Sequence, residues 1–275
     1  MHIVAFVSKK GGAGKSTLAS NLAVAAHLAG QRVFICDLDP LQSLVKWSRV
    51  RQAIDIPVEH IPGQKLTRAL AALQKSGVGL VVIDTPGAES ACCLEAIDAA
   101  DFCVIPARPN VLDLWASEET LARVRAAGKA YAFLLNQCPP ARQGARLARG
   151  AEGLQEMGAL LTPMVSARVD YQDAVRLGLG VTELRPDGAA AREMTQLWAA
   201  VQCRLDEIAR DRLAARARAN PVLASYREFF DQAARVSEFY ADLLKKMLPD
   251  GAPEAEAAAP PASGAAETTR RRSGV

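Results

Sequence analysis

The segment Lys9–Thr17, with the sequence KKGGAGKST, restricts the possible folds of this chain more than any other feature. It lies between the short apolar run His2–Ser8 and the stretch Lys15–Ala29, which has helical periodicity. Glycines allow a backbone to approach phosphate oxygens without a Cβ clash and to turn its N–H groups inward. A helix that begins at the end of such a loop adds the positive end of its dipole. The segment therefore predicts a phosphate-binding loop between a buried strand and a helix.

The residue types in this loop indicate separate roles toward a nucleoside triphosphate. Lys15 is expected to bridge the β- and γ-phosphates, Ser16 to hold Mg²⁺ through its hydroxyl, and Thr17 to donate to the α-phosphate. The common pattern GxxxxGK[ST] has glycine where this chain has Lys9, and a second lysine follows at Lys10. The predicted cofactors are ATP and Mg²⁺. The predicted nucleotide-binding residues of the loop are Lys10, Gly11, Gly12, Ala13, Gly14, Lys15, Ser16 and Thr17.

Short apolar runs alternate with longer helical patterns along the chain. The runs are nearly continuous, which is typical of strands covered on both faces, as in a parallel sheet. This alternation predicts the α/β class, with a doubly wound, mostly parallel sheet flanked by helices, as in P-loop NTPases. The predicted strands are His2–Ser8, Arg32–Asp37, Gly79–Asp84, Phe102–Pro106, Tyr131–Asn136 and Leu161–Ser166. The predicted helices are Lys15–Ala29, Ser43–Arg51, Leu66–Lys75, Ala91–Ala99, Ser117–Ala127, Arg142–Met157, Tyr171–Gly178 and Ala189–Ala217.

Three regions are predicted from composition and periodicity. Residues 1–219 are expected to form the nucleotide-binding domain. Pro221 interrupts the preceding helix, because the residue before a proline is pushed out of the α region. Residues 220–248 are then expected to form a C-terminal amphipathic helix, since apolar and aromatic residues recur there at spacings of three and four. Residues 249–275 are rich in Ala, Pro, Glu and Ser, and this composition predicts a disordered tail.

Two acidic motifs end buried strands. The segment Asp37–Pro40, with the sequence DLDP, ends the second strand, and Asp84 ends the apolar run that starts at Val81. The carboxyl ends of parallel strands meet at one edge of a sheet, where α/β proteins bind ligands. A lone Asp at a strand end is more often a helix cap, but the order and spacing of three motifs favour a metal site. The metal ligands predicted from these residues are Ser16 and Asp84.

These motifs resemble those of the deviant Walker A ATPases, a family that includes ParA, Soj and MinD. Lys10 matches the family's signature lysine, and the resemblance implies that it reaches the nucleotide of the other subunit in an ATP-dependent homodimer. The resemblance also implies that Asp39 orients the attacking water and that Asn136 contacts adenine. It further implies that Asp37 supports the Mg²⁺ region, which makes Asp37 the third predicted metal ligand. Leu41 departs from the family, whose DxDP motif usually continues with Gln. The implied catalytic residues are Lys10, Lys15 and Asp39.

Two related classes remain alternatives. An iron–sulfur carrier ATPase needs cysteine ligands across a dimer or a CxxC pair, and the six cysteines of this chain include no CxxC. A MinD-like, membrane-cycling ATPase needs a basic amphipathic helix at its C-terminus. The helix predicted within 220–248 mixes acidic and basic residues, so the sequence argues against a membrane partner.

The net charge of +3 excludes histone-like binding to nucleic acid but allows binding through a local basic patch. Three arginines at helical spacing predict such a patch, namely Arg142, Arg146 and Arg149. With the resemblance, the sequence predicts a small ParA-type ATPase that dimerises on ATP, binds DNA nonspecifically and positions a cargo. The cargo would be a plasmid, a chromosomal locus or a protein assembly, and a ParB-like or other adaptor would stimulate hydrolysis. The expected location is the cytoplasm, on the nucleoid.

Overall fold

The computed structural model describes residues 1–87, 90–139 and 144–219, together with residues 232, 235 and 238. The helix predicted within 220–248 therefore lies outside the described residues except at those three positions, and the tail predicted for 249–275 lies wholly outside them. The chain divides into two compact units at Ala214. Of the second unit, the structure describes Ala215–Ala219, the end of a helix, and the three isolated residues.

The described residues form a six-stranded sheet in the order β3-β2-β4-β1-β5-β6, and every pairing is parallel. Strands β2, β4 and β5 are buried along their whole length, which explains their uninterrupted apolar sequences. This sheet confirms the predicted α/β class. The strands are β1 His2–Phe6, β2 Val33–Asp37, β3 Val58–His60, β4 Leu80–Asp84, β5 Phe102–Ala107 and β6 Ala130–Leu135.

Helices cover both faces of the sheet and form two apolar cores. One core joins Phe6, Leu22 and Trp47 to Leu197 on the last helix, and the other joins Ile83 to residues such as Leu121. The helices are α1 Lys15–Leu28, α2 Ser43–Val50, α3 Leu66–Lys75, α4 Ala91–Ala99, α5 Val111–Ala126, α6 Gly144–Met157, α7 Val169–Arg176, α8 Val181–Leu184 and α9 Ala189–Ala219, with a short 3₁₀ helix at Gly63–Lys65.

Two predicted elements differ from the structure, and one strand of the sheet was not predicted. The predicted strand Leu161–Ser166 is wrong, because only isolated bridges form at its ends, and Pro163 within it has no N–H to donate to a sheet ladder. Strand β3 was not predicted, since three residues with a central Glu give almost no apolar signal. Helix α5 begins at Val111, six residues before the predicted start at Ser117, because the Asn110 side chain accepts a hydrogen bond from Asp113 N at 3.0 Å and caps the helix.

Candidate nucleotide site

The phosphate loop connects β1 to α1 at the carboxyl edge of the sheet. Gly12 and Gly14 have φ angles of +76° and +91°, in the left-handed region that favours glycine. A Cβ on Gly14 would lie 2.3 Å from Asn136 Nδ2, whereas a Cβ on Gly12 would have no neighbour within 4 Å. Gly14 is therefore required both for its backbone conformation and for the close approach of Asn136.

The segment after β6 holds the loop in place. Asn136 Nδ2 donates to Ala13 O at 2.8 Å, and Gln137 Nε2 donates to Gly12 O at 2.9 Å. Asn136 is buried and directly follows β6, and its backbone N donates to Ala107 O of β5 at 2.9 Å. Asn136 was predicted from the resemblance to contact adenine, and this second contact to the loop was not anticipated.

Lys15 is buried within the loop that precedes it. Its Nζ lies 3.4 Å from Lys10 O and donates to that carbonyl. Burial lowers the pKa of Lys15, and the negative charges of Asp84 and Asp39 act in the opposite direction. The ammonium group therefore faces the loop and the carboxylates, where phosphate oxygens would give it further acceptors.

The two other lysines of the loop differ in their contacts. Lys9 N donates to Thr120 Oγ1 of α5 at 3.2 Å, and Lys9 Nζ pairs with Glu119 of the same helix. Lys10 is half-buried, and its backbone N donates to Ser8 Oγ at 3.2 Å. In the part of the chain that the structure describes, Lys10 Nζ has neither a hydrogen bond nor an ion pair. Lys9 thus contributes to holding α5 against the loop, whereas the charge of Lys10 is not compensated by a direct contact there.

Asp84 at the end of β4 is a fully buried carboxylate. Neither of its oxygens accepts a hydrogen bond of normal geometry from the described residues. Burial raises the pKa of Asp84 to about 7, the nearby Ser16 hydroxyl and the Lys15 ammonium lower it, and the charges of Asp37 and Asp39 add to the rise. A buried carboxylate without donors is costly, and a cation would offset that cost.

Asp37 and Asp39 lie on the next strand and the loop after it. Asp37 Oδ2 accepts hydrogen bonds from Leu44 N at 2.9 Å and Val45 N at 3.2 Å, at the start of α2, and Asp37 Oδ1 accepts one from Asp39 N at 3.1 Å. Asp39 Oδ1 accepts a hydrogen bond from Leu41 N at 2.9 Å. Asp37, predicted as a metal ligand, therefore has both oxygens in backbone hydrogen bonds and fixes the loop that carries Asp39.

The residues at this edge fit a magnesium ion that has few protein ligands. Ser16 and Asp84 supply a hydroxyl and a carboxylate, which are oxygen donors that Mg²⁺ accepts alongside water and phosphate oxygens. No cluster of three or more His, Cys, Asp or Glu side chains suited to a metal occurs among the described residues. The bare Asp84 carboxylate is the observation that agrees best with a cation here.

A cavity of about 450 Å³ opens beside the phosphate loop. Gly14, Thr17 and Asn136 form the wall nearest the loop, and residues 165–169 with Tyr171 and Gln172 form the opposite side. Glu193 of α9 fixes that side, because it accepts hydrogen bonds from Ser166 Oγ at 2.8 Å and from the Arg168 guanidinium at 2.9 Å. Gln137 and the 165–172 wall were not predicted as site residues.

Of the three arginines predicted to contact DNA, the structure describes the side chain of one. Arg142 and the side chain of Arg146 lie outside the described part of the chain, and Arg149 is exposed on α6. All six cysteines are free thiols. Within the described ranges, no helix is long and apolar enough to cross a lipid bilayer.

A doubly wound parallel sheet with a glycine-rich, lysine-bearing loop between β1 and α1 defines a P-loop nucleotide-binding protein. The family model described as the CobQ/CobB/MinD/ParA nucleotide binding domain matches residues 4–248. The chain belongs to this family, which confirms the resemblance seen in its motifs.

Individual proteins agree with this assignment. The chain is 34% identical over 196 residues to "Maintenance of carboxysome distribution protein A" of Gloeobacter kilaueensis, covering 70% of this chain and 88% of the relative. It is 30% identical over 204 residues to the protein of that name from Halothiobacillus neapolitanus, covering 70% and 93%. The solved MinC:MinD cell division complex of Aquifex aeolicus matches with a TM-score of 0.64 at 16% identity, covering 74% of this chain and 96% of that one. Because its sequence identity is low, the match to the MinC:MinD complex shows a similar fold and no more.

Proposed function

We propose that this chain is a ParA-type ATPase that hydrolyses ATP with Mg²⁺, dimerises on ATP and positions a cellular cargo. The observation that carries the proposal is the difference between the two lysines of the motif. Lys15 Nζ faces its own loop, whereas Lys10 Nζ has no partner among the described residues. Two triphosphates that face each other in a dimer repel, and a cation supplied by the other subunit offsets that repulsion.

The roles of the chain's own residues in hydrolysis follow from their contacts. Lys15 and the N–H groups of the loop bind the phosphates, and Ser16 and Asp84 hold the metal. Bound Mg²⁺ supplies charge neutralisation on the phosphate oxygens. Asp39 orients the attacking water, since Asp39 Oδ1 is fixed by Leu41 N while Asp39 Oδ2 accepts no hydrogen bond from the described residues. Asp37 contributes by holding this loop rather than through a free oxygen.

The cavity beside the loop suits the adenine base. Asn136 lines it, and because Asn136 Nδ2 is already bonded to Ala13 O, its Oδ1 remains as an acceptor suited to the adenine amino group. One side chain would then fix the phosphate loop and contact the base. Binding the base and ordering the loop would depend on the same residue.

The ATP dimer is proposed to bind DNA nonspecifically through Arg142, Arg146 and Arg149. An adaptor protein would stimulate hydrolysis and so release the dimer from DNA. Two copies of a weak basic patch in one dimer increase affinity for a polyanion. The proposed location is therefore the cytoplasm, in association with the nucleoid. Two relatives are named for the maintenance of carboxysome distribution, which favours a protein assembly over a plasmid as cargo.

The test compares two adjacent lysines. The full chain with ATP and Mg²⁺ should be a dimer by size-exclusion chromatography with light scattering, and a monomer with ADP. Lys10→Ala should still bind ATP but lose dimerisation and hydrolysis, because the cation in trans is absent. Lys9→Ala is the matched control and should keep both, since it removes mainly an exposed ion pair to Glu119. Hydrolysis at the parent rate by Lys10→Ala would contradict the proposal.

A further inference from the structure

A buried asparagine joins the phosphate-binding helix to a helix far along the chain. Asn21 of α1 is fully buried. Its Nδ2 donates to Thr17 O of the same helix at 2.7 Å, and its Oδ1 accepts a hydrogen bond from Val181 N, at the start of α8, at 2.8 Å. Burying a polar group is costly unless it is hydrogen-bonded, and here both ends of the amide are. The side chain of Asn21 therefore connects α1 to α8.

Helix α8 obtains the partner of its first N–H group from this side chain. The first N–H groups of a helix have no partner within the helix. Gly180, the residue before α8, has no side chain to accept a hydrogen bond, and Glu183 Oε2 accepts one from Gly180 N at 2.8 Å. Asn21 thus supplies a cap to Val181 N from another helix. A Cβ on Gly180 would lie 2.8 Å from the side chain of Val24, so the close approach of α8 to α1 requires glycine there.

The same hydrogen bond connects the two sides of the cavity beside the phosphate loop. Thr17 of α1 lines the side nearest the loop, and Tyr171 and Gln172 of α7 line the opposite side. Helix α7 leads through a short connection into α8, and Asn21 lies about 6 Å along the α1 axis from Thr17, at 1.5 Å per residue. Among the described residues, no other hydrogen bond joins α1 to residues 165–184.

We propose that Asn21 is a positioning residue for the nucleotide base, because it fixes the distance between α7 and the phosphate-binding helix and so the width of the cavity. The inference rests on the proposed function, from which it takes that this cavity receives adenine. A side of the cavity that is fixed before binding need not be ordered by the base, and such preorganisation raises affinity. Without this hydrogen bond, ATP would bind more weakly although its phosphate contacts are unchanged.

The other anchors of residues 165–184 lead to different parts of the molecule. Glu193 of α9 accepts a hydrogen bond from Ser166 Oγ at 2.8 Å. Arg51 donates to Gly178 O at 3.0 Å and Trp47 Nε1 to the next carbonyl along the chain at 3.3 Å, both from the side of α2. These contacts hold the segment against α9 and α2. The hydrogen bond of Asn21 instead sets its position relative to the helix that binds the triphosphate.

Two substitutions remove the hydrogen bond from opposite sides. In Asn21→Thr, the hydroxyl can still donate to Thr17 O, as Ser20 Oγ does at 3.1 Å, but the side chain is one atom shorter on the path to Val181 N. Val181→Pro removes the N–H group itself. Proline is tolerated at the first position of a helix, and Gly180 before it is extended, with φ −94° and ψ 162°. Ser20→Ala is the matched control, since Ser20 is equally buried and its hydroxyl bonds carbonyls of its own helix.

Calorimetry on the full chain, with Mg²⁺, measures Kd for ATP and for inorganic tripolyphosphate, which has no base. We expect Asn21→Thr and Val181→Pro each to raise Kd for ATP at least about fivefold, the effect of one lost buried hydrogen bond, and to leave Kd for tripolyphosphate nearly unchanged. The double variant should bind ATP no more weakly than the single variants, because all three lack the same bond. Ser20→Ala should bind both ligands as the parent does.

A purely structural role of Asn21 would weaken ATP and tripolyphosphate alike. An unchanged ratio of the two Kd values in Asn21→Thr, or additive effects in the double variant, would therefore overturn the inference. Asn21→Thr keeps its side chain hydrogen-bonded within α1, so it provides this test even if Val181→Pro fails to fold. A parent chain that binds ATP but neither hydrolyses it nor dimerises would instead overturn the proposed function, and the binding test of Asn21 would still apply.

Discussion

Substituting Gly14 tests the coupling between the phosphate loop and Asn136. Gly14→Ala forces an L-residue into a φ of +91°, which costs about 1–2 kcal/mol. Its Cβ would also lie 2.3 Å from Asn136 Nδ2, so the amide must move and lose its hydrogen bond to Ala13 O. Losing a buried hydrogen bond costs about 1–3 kcal/mol when the partners are left unsatisfied. We therefore expect Gly14→Ala to lower the free energy of unfolding of the nucleotide-free chain by about 2–5 kcal/mol.

Gly12 provides the matched control. Its φ is +76°, but a Cβ there would meet nothing within 4 Å, so Gly12→Ala should cost only the backbone strain of about 1–2 kcal/mol. In an Asn136→Ala background the clash is gone, and Gly14→Ala should then cost no more than Gly12→Ala does. Urea unfolding of the parent, the three single variants and the Asn136→Ala/Gly14→Ala double variant, without nucleotide, measures each free energy of unfolding. Equal losses for Gly12→Ala and Gly14→Ala in the parent background would refute the reasoning.

Further predictions concern the charged groups. Lys15→Ala should abolish ATP binding in a fluorescent-nucleotide titration, because it removes a charged phosphate contact. Asp39→Ala should bind ATP and persist as a dimer with slowed hydrolysis, which light scattering and phosphate release would show. Burial raises the pKa of Asp84 from 3.8 in the unfolded chain to about 7 in the folded chain. Without Mg²⁺, the free energy of unfolding should therefore decrease as the pH rises from about 3.8 to about 7. Asp84→Asn should reduce this decrease, which thermal melts at several pH values would measure. DNA binding should require ATP and weaken steeply with salt, and joint substitution of Arg142, Arg146 and Arg149 by Glu should weaken it without changing basal hydrolysis; equal affinity with ADP would contradict this.

The sheet and the phosphate loop could be predicted because their signals are local. Strand β4 is a continuous apolar run that ends at Asp84, and Lys15 and Ser16 follow the glycines in a spacing that only a phosphate loop explains well. The short β3 could not be predicted, since its place in the sheet comes from pairing with β2 rather than from its own sequence. The strand predicted at Leu161–Ser166 contains Pro163, and a proline inside a segment argues against a central strand.

The candidate site was predictable at the level of residues but not of contacts. Asp37 and Asp84 are both aspartates at strand ends, and both were predicted to be metal ligands. The difference arises because α2 starts where its N–H groups reach Asp37, whereas no backbone N–H group of the described residues donates to Asp84. The contact of Asn136 with adenine was predicted from the resemblance. Its hydrogen bond to Ala13 O could not be predicted, because the two residues are 123 positions apart and meet only in the folded chain.

The hydrogen bonds of Asp37 have a mechanical consequence. The Asp37 carboxylate joins the backbone of Asp39, the residue proposed to orient the attacking water, to the first turn of α2 through hydrogen bonds. The other end of α2 is tied down as well, since Arg51 next to it donates to Gly178 O at 3.0 Å and to Glu183 at 2.6 Å. A displacement of Asp39 toward a bound triphosphate therefore either breaks the hydrogen bonds of Asp37 or moves α2 as a rigid body relative to α7 and α8. Helix α2 would then carry the state of the γ-phosphate to the opposite end of the domain.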